Sequence, residues 1–266
     1  MKIFDSHCHL DDPSFDHDLN EVLNHAAAVE VHRMLVAGID QRSSDRAVML
    51  AQTHPGLFAS VGIHPHDASA CSEAALTHLK SLAASPKVVA WGEIGLDFNR
   101  MYSPRRDQER WFVRQLEIAD SLDLPLIFHE RDSQGRLLDI LRSTSGTART
   151  AVVHCFNGTE AELDQYLEMG FYIGITGIAT VHQRGAPLRR MIPSIPADRL
   201  LIETDAPYLT PSPQRNTFRR NEPAFVREVL VKVAQVRGDA LQVLAEQIWN
   251  NTCRLFRIDP SVDFEA

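Results

Sequence analysis

His7 and His9 stand two residues apart at the end of an extended N-terminal run, Phe4-Asp5-Ser6-His7-Cys8-His9-Leu10. Two neutral imidazoles converging on one point suit a divalent transition metal. On a strand successive side chains alternate faces, so the pair points one way and Cys8 the other. Two ligands make half a site, and His129, His154, Glu93 and Asp205 are the candidates to complete it. Four imidazoles and two carboxylates exceed what one tetrahedral zinc takes, so the set favours two metals with positions left open for water and substrate. Glu93 is the natural bridge, because each of its two carboxylate oxygens can hold one cation. Asp205 is placed to bind one metal and to orient or deprotonate a bridging water. Glu203, two residues back on the same face and one layer deeper, reads as a hydrogen-bond acceptor behind a ligand rather than a ligand.

The elements that must position these residues follow a regular pattern. Eight short apolar runs recur along the chain: the first strand, 33–38, 58–64, 88–93, 125–129, 150–154, 170–174 and 199–205. Between them the apolar residues fall at helical spacing, as in Leu19, Leu23, Ala26 and Ala27, or Phe112, Leu116, Ala119 and Leu122. Ser103-Pro104 reads as the N-cap and first position of the longest helix. Final helices are expected near 223–236 and 239–252. The runs are continuous rather than alternating, as in a parallel sheet covered on both sides. Eight such units without a G-x-G-x-x-G loop predict an α/β protein, a (β/α)8 TIM barrel forming one domain over 1–266. Such a barrel demands functional residues at the carboxyl ends of its strands. His7 and His9 end the first strand, His64 the third, Glu93 the fourth, His129 the fifth, His154 the sixth and Asp205 the eighth.

Composition narrows the function. At 44% hydrophobic and 23% charged over 266 residues the chain is an ordinary globular sequence. Its 27 basic and 35 acidic residues give a net charge of -8, so contact with a polyanion must be local. The cysteines, Cys8, Cys71, Cys155 and Cys253, form no C-x-x-C pair, which argues against a zinc ribbon or a dithiol redox centre. Met1-Lys2-Ile3-Phe4 leads straight into the histidine pair, leaving no room for a signal peptide, and no run is long enough to span a membrane. A cytoplasmic protein with no membrane partner is expected, and a monomer is the expected state.

Taken in order, Asp5-Ser6-His7-Cys8-His9, Gly62-Ile63-His64-Pro65, Gly92-Glu93-Ile94-Gly95-Leu96-Asp97, His129-Glu130-Arg131, His154-Cys155-Phe156, Glu203-Thr204-Asp205-Ala206-Pro207-Tyr208 and Asn221-Glu222-Pro223 resemble the TatD family of metal-dependent deoxyribonucleases. The resemblance spans nearly the whole chain. It implies a TIM barrel of the metallo-dependent hydrolase group, with divalent metal (Zn, Mn or Mg) held by His7, His9, Glu93, His129, His154 and Asp205. It also implies hydrolysis of DNA phosphodiesters, often from the 3′ end, with single strands or ends as the expected substrate. Asn157 and the Glu130-Arg131-Asp132 turn depart from the commonest family forms and bear on substrate preference. The second reading is an ester or amide hydrolase on the same barrel, such as a D-aminoacyl-tRNA deacylase. Glu93 stands where many binuclear members of the wider group carry a carboxylated lysine, which points to the nuclease branch.

Phosphodiester cleavage needs a nucleophilic oxygen in line with the leaving group and positive charge on the nonbridging oxygens. Arg131 suits a phosphate clamp, because a guanidinium matches phosphate bidentately; the alternative is a surface ion pair with Glu130 or Asp132. His64 is placed to contact the phosphate or to protonate the leaving group. Arg100, Arg105 and Arg106, and Arg215, Arg219 and Arg220, form two basic clusters that could follow a strand.

Overall fold

Eight apolar runs become eight parallel strands because each can bury both faces, one inside the barrel and one beneath a helix. In the computed structural model, which describes residues 1–144 and 149–261, they pair in chain order from first to last. The strands are β1 (Ile3–Cys8), β2 (Val31–Ala37), β3 (Leu57–Val61), β4 (Val88–Asp97), β5 (Leu126–Arg131), β6 (Ala151–Val153), β7 (Tyr172–Ile175) and β8 (Leu200–Ile202). The helices are α1 (Leu19–Ala28), α2 (Gln41–Thr53), α3 (Glu73–Leu82), α4 (Arg105–Leu122), α5 (Arg136–Ser143), α6 (Glu160–Glu168), α7 (Ala186–Met191), α8 (Val226–Arg237) and α9 (Leu241–Leu255). The fold is the expected (β/α)8 barrel. Local chemistry fixes several helix starts: Asp40 and Ser43 cap α2 reciprocally, and Thr159 and Glu162 do the same for α6.

Ser103 does not cap α4 as the sequence suggests. The helix begins at Arg105 with Pro104 in the cap position. Ser103 is buried, and its hydroxyl donates to His66 O (2.7 Å) and accepts from Ser69 N (2.9 Å). The hydroxyl is spent on tying this loop to its neighbour. The segment from Pro223 likewise opens as a 3-10 turn, Pro223–Phe225, before α8 begins at Val226.

One buried side chain from every strand builds the floor of the barrel: Phe4, Leu35, Phe58, Ala90, Ile127, Val152, Tyr172 and Leu201. Trp249 of α9 and Phe256 close it from below, with their rings 6.0 and 6.3 Å from that of Phe4. Two residues further along a strand the side chain again faces inward. That places His129 above Ile127, His154 above Val152, and Glu203 then Asp205 above Leu201.

On β1 and β4 the count is three rather than two. Asp5 pairs with Met34 and Cys8 with Val36, so β1 spends three residues where β2 spends two. Likewise Trp91 pairs with Leu126 and Ile94 with Phe128. An extra residue re-aims every side chain beyond it. The two bulges are what bring His7 and His9, and Glu93, to the barrel axis.

The ring closes between β8 and β1 with few bonds. Asp205 N donates to His7 O (2.9 Å) and His9 N to Ala206 O (2.7 Å). Below them a side chain stands in for a ladder bond, as the buried Asp5 carboxylate accepts from Thr204 N (2.9 Å) and Thr204 Oγ1 (2.5 Å).

Candidate metal centre

Glu93 divides the cluster between its two oxygens. Its Oε2 lies 3.4 Å from His7 Nε2 and 3.9 Å from His9 Nε2. Its Oε1 lies 2.7 Å from His129 Nδ1, 2.8 Å from His154 Nε2 and 3.2 Å from His64 Nε2. Asp205 Oδ1 joins the first group, 3.3 Å from His9 Nε2 and 3.9 Å from His7 Nε2. The carboxylate that carries both groups is 3% exposed.

Several imidazoles are held from behind by groups that can only accept a proton. His9 Nδ1 lies 3.1 Å from Ala37 O, and His129 Nε2 lies 3.2 Å from Asp97 Oδ2. His154 Nδ1 is 3.4 Å from Glu203 Oε1, within ion-pair range though not aligned for a hydrogen bond. A ring that donates behind keeps a lone pair in front, which is how a protein orients a metal-binding histidine. These lone pairs face carboxylate oxygens, an arrangement that needs positive charge between them. The donor set therefore fits divalent cations. His7 Nδ1 is buried without a partner, so its tautomer is not fixed in this way.

His64 differs. Its Nδ1 accepts the amide of His66 (3.1 Å), which leaves its proton on Nε2, pointing at Glu93. It presents a donor to the site and no lone pair to a cation.

The charges balance by taking up protons. Burial works against the Glu93 carboxylate, but His154 and His64, with hydrogen bonds from His129 and His154, hold it well below the usual range. Burial likewise disfavours charge on His9, yet Asp205 beside it lifts the ring to about 9. Burial is outweighed at His154 by Glu93 and Glu203, and at His129 by Asp97 and Glu93, so both are raised. His64, where burial dominates, is lowered to about 3, and burial also lowers His7.

Every ligand candidate read from the sequence lies in this cluster, and Glu203 sits behind His154 as expected. A Cβ on Gly174 of β7 would lie 2.6 Å from Glu203 Oε2, so only glycine leaves room for that carboxylate. Arg131 ends β5 exposed and, among the described residues, forms no ion pair. Its two acidic neighbours are engaged elsewhere, Glu130 Oε1 with Ser133 N (2.9 Å) and Asp132 Oδ2 with Asn99 Nδ2 (2.6 Å). Of the basic clusters, Arg220 is tied to Asp18 and Arg105 stacks on Phe98.

Sequence reasoning missed Asp97 and His66. Asp97 is fully buried, and its Oδ2 lies 2.7 Å from His66 Nε2 as well as facing His129. The signal for His66 was present, because His64-Pro65-His66 repeats the His-x-His spacing of His7 and His9. Asn221 was noted only as part of a motif. Buried, it donates to Thr204 O (2.9 Å) and Tyr208 O (2.6 Å) and so fixes the loop that follows β8.

A (β/α)8 barrel whose strand ends gather a carboxylate between two sets of histidines defines a metallo-dependent hydrolase. Within that class the profile described as TatD related DNase matches residues 4–257, and the chain belongs to this family. It is 42% identical to a Klebsiella pneumoniae protein named 3'-5' ssDNA/RNA exonuclease TatD, over 97% of this chain and 98% of that protein. It is 43% identical to one of the same name from Cronobacter turicensis, over 96% and 97%. The crystal structure of a TatD homologue from Escherichia coli superposes with a TM-score of 0.88 at 31% identity, covering 97% of this chain and 98% of the other.

Proposed function

We propose that this protein is a metal-dependent deoxyribonuclease that hydrolyses phosphodiester bonds of single-stranded DNA from the 3′ end. The division of Glu93 between two histidine groups carries the reading, because a carboxylate so placed could hold one cation with each oxygen. Two divalent ions held there, by His7, His9, Glu93 and Asp205 on one side and Glu93, His129 and His154 on the other, would supply Lewis-acid charge and a nucleophile at neutral pH. Zn, Mn and Mg are the candidates.

The chain's own residues supply the rest. Asp205, whose Oδ1 lies beside His9 and His7, would accept a proton from the attacking water. His64, neutral with its proton on Nε2, donates a hydrogen bond to a nonbridging or leaving oxygen and keeps the proton. Arg131, exposed and without an ion pair among the described residues, would clamp a phosphate oxygen at the rim. The acidic body confines nucleic acid to this mouth, which a strand end enters more easily than a duplex interior. Relatives named as nucleases favour this reading over an ester hydrolase.

Protein reconstituted separately with Zn, Mn and Mg should release the label of 3′-labelled single strands before that of 5′-labelled ones. Release of neither label, with rapid cleavage of an aminoacyl ester, would overturn it.

A further inference from the structure

Two of the most exposed aromatic side chains stand beside the metal centre. Tyr102, 66% exposed, lies on the loop between β4 and α4; Tyr208, 53% exposed, lies on the loop after β8. The Tyr102 ring meets His66 edge-on with centroids 4.7 Å apart, and His66 in turn meets His64 at 4.2 Å. The Tyr208 ring meets His9 at 6.0 Å. Tyr102 therefore flanks the Oε1 side of Glu93 and Tyr208 the Oε2 side.

Both rings are exposed on loops that hydrogen bonds tie to the barrel. Next to Tyr102, the buried Ser103 is tied to His66 O and Ser69 N, and its carbonyl accepts from Gln108 Nε2 (2.8 Å). Tyr208 N donates to Asp205 O (2.8 Å) and its carbonyl accepts from the buried Asn221. Neither phenol hydroxyl has a hydrogen-bond partner among the described residues. An exposed ring on a tied loop is a stacking platform, and every nucleobase has a π-face to lay on it. A base still paired in a duplex has its faces covered by its neighbours.

We infer that Tyr102 and Tyr208 stack the two nucleobases flanking the scissile phosphate, one on each side of the cluster, and so select unpaired strands. The inference rests on the nuclease reading above and names the residues that choose the substrate. Each tyrosine serves one base, so its contribution disappears when that base is removed from the DNA.

The test pairs protein and substrate changes in metal-loaded enzyme. The strands are adenine-rich and single-stranded, either intact or carrying a tetrahydrofuran residue in place of the terminal or penultimate nucleoside. In wild type, loss of a stacked base should lower kcat/KM about tenfold to a hundredfold. Y102A and Y208A should each lower kcat/KM on intact DNA by a similar factor and become indifferent to the missing base at one position, a different position for each. Y102F and Y208F keep the ring and should therefore retain the dependence on the missing base that the alanine variants lose. Metal content and thermal unfolding of all variants should be unchanged. Wild type that ignores the missing bases, or alanine variants that keep the full wild-type base dependence, would overturn the inference. Wild type that cleaves none of the strands would instead remove the nuclease reading, and the inference with it.

Discussion

Glu93 Oε1 stands 2.8 Å from His154 Nε2, while the other oxygen of the same carboxylate is turned to the histidines of β1. Glu93→Gln keeps the shape but replaces one oxygen by an amide nitrogen that cannot ligate a cation. The variant should fold, hold one tightly bound metal at most, and lose activity by roughly a thousandfold or more. Metal stoichiometry beside turnover measures this, and a fully loaded, active Gln variant would remove Glu93 from the bridging role.

Asp97 touches His129 and His66 with one oxygen, and its other accepts from Asn99 N (3.0 Å) and Arg100 N (2.7 Å). Asp97→Asn can keep the backbone bonds while weakening the hold on both rings. Metal affinity should fall about 10- to 100-fold with the melting temperature little changed. Chelator competition reads the affinity, and an unaltered affinity would make Asp97 a loop residue only.

Protons and metal compete for the same nitrogens. Because Asp205 lifts His9 to about 9 and burial opposes this without prevailing, the ring is protonated at neutral pH and must shed its proton before it can ligate. His154 and His129 are raised in the same sense. The sign follows: metal affinity should rise with pH through the neutral range, and loading should release protons. Calorimetry in buffers of different ionisation enthalpy would show the release; loading without it would contradict the protonated cluster.

Arg131→Ala should leave metal content and fold intact, because the side chain has no ion pair to lose among the described residues. If the guanidinium acts on the phosphate in the transition state, the loss is about 2 to 4 kcal/mol in kcat/KM. Wild-type turnover would return Arg131 to an ordinary surface role.

The barrel was legible because eight continuous apolar runs recur with helical spacing between them, and the candidate site because its histidines and carboxylates end those runs. Counting by two along β5, β6 and β8 leads from Ile127, Val152 and Leu201 to His129, His154 and Glu203. The same count fails on β1 and β4, where an extra residue enters the ladder. A bulge is a relation between two strands, and no single run of residues displays it. Ser103 misled for a similar reason, since its hydroxyl answers to His66 and Ser69 across a loop rather than to its own helix. Asp97 and Tyr208 lay inside quoted motifs, but their roles come from side chains that meet only after folding.

The closure between β8 and β1 has a consequence for how the cell makes this protein. Asp205 is bonded to the strand that carries His7, yet a ribosome adds it almost two hundred residues later. A chain still being synthesised, or one cut short before β8, carries the first histidines without their partner carboxylate. The cluster at the barrel mouth is therefore complete only once β8 has been added and closed against β1. Non-local closure of this kind is slow to form, so the site is among the last parts of the barrel to be assembled.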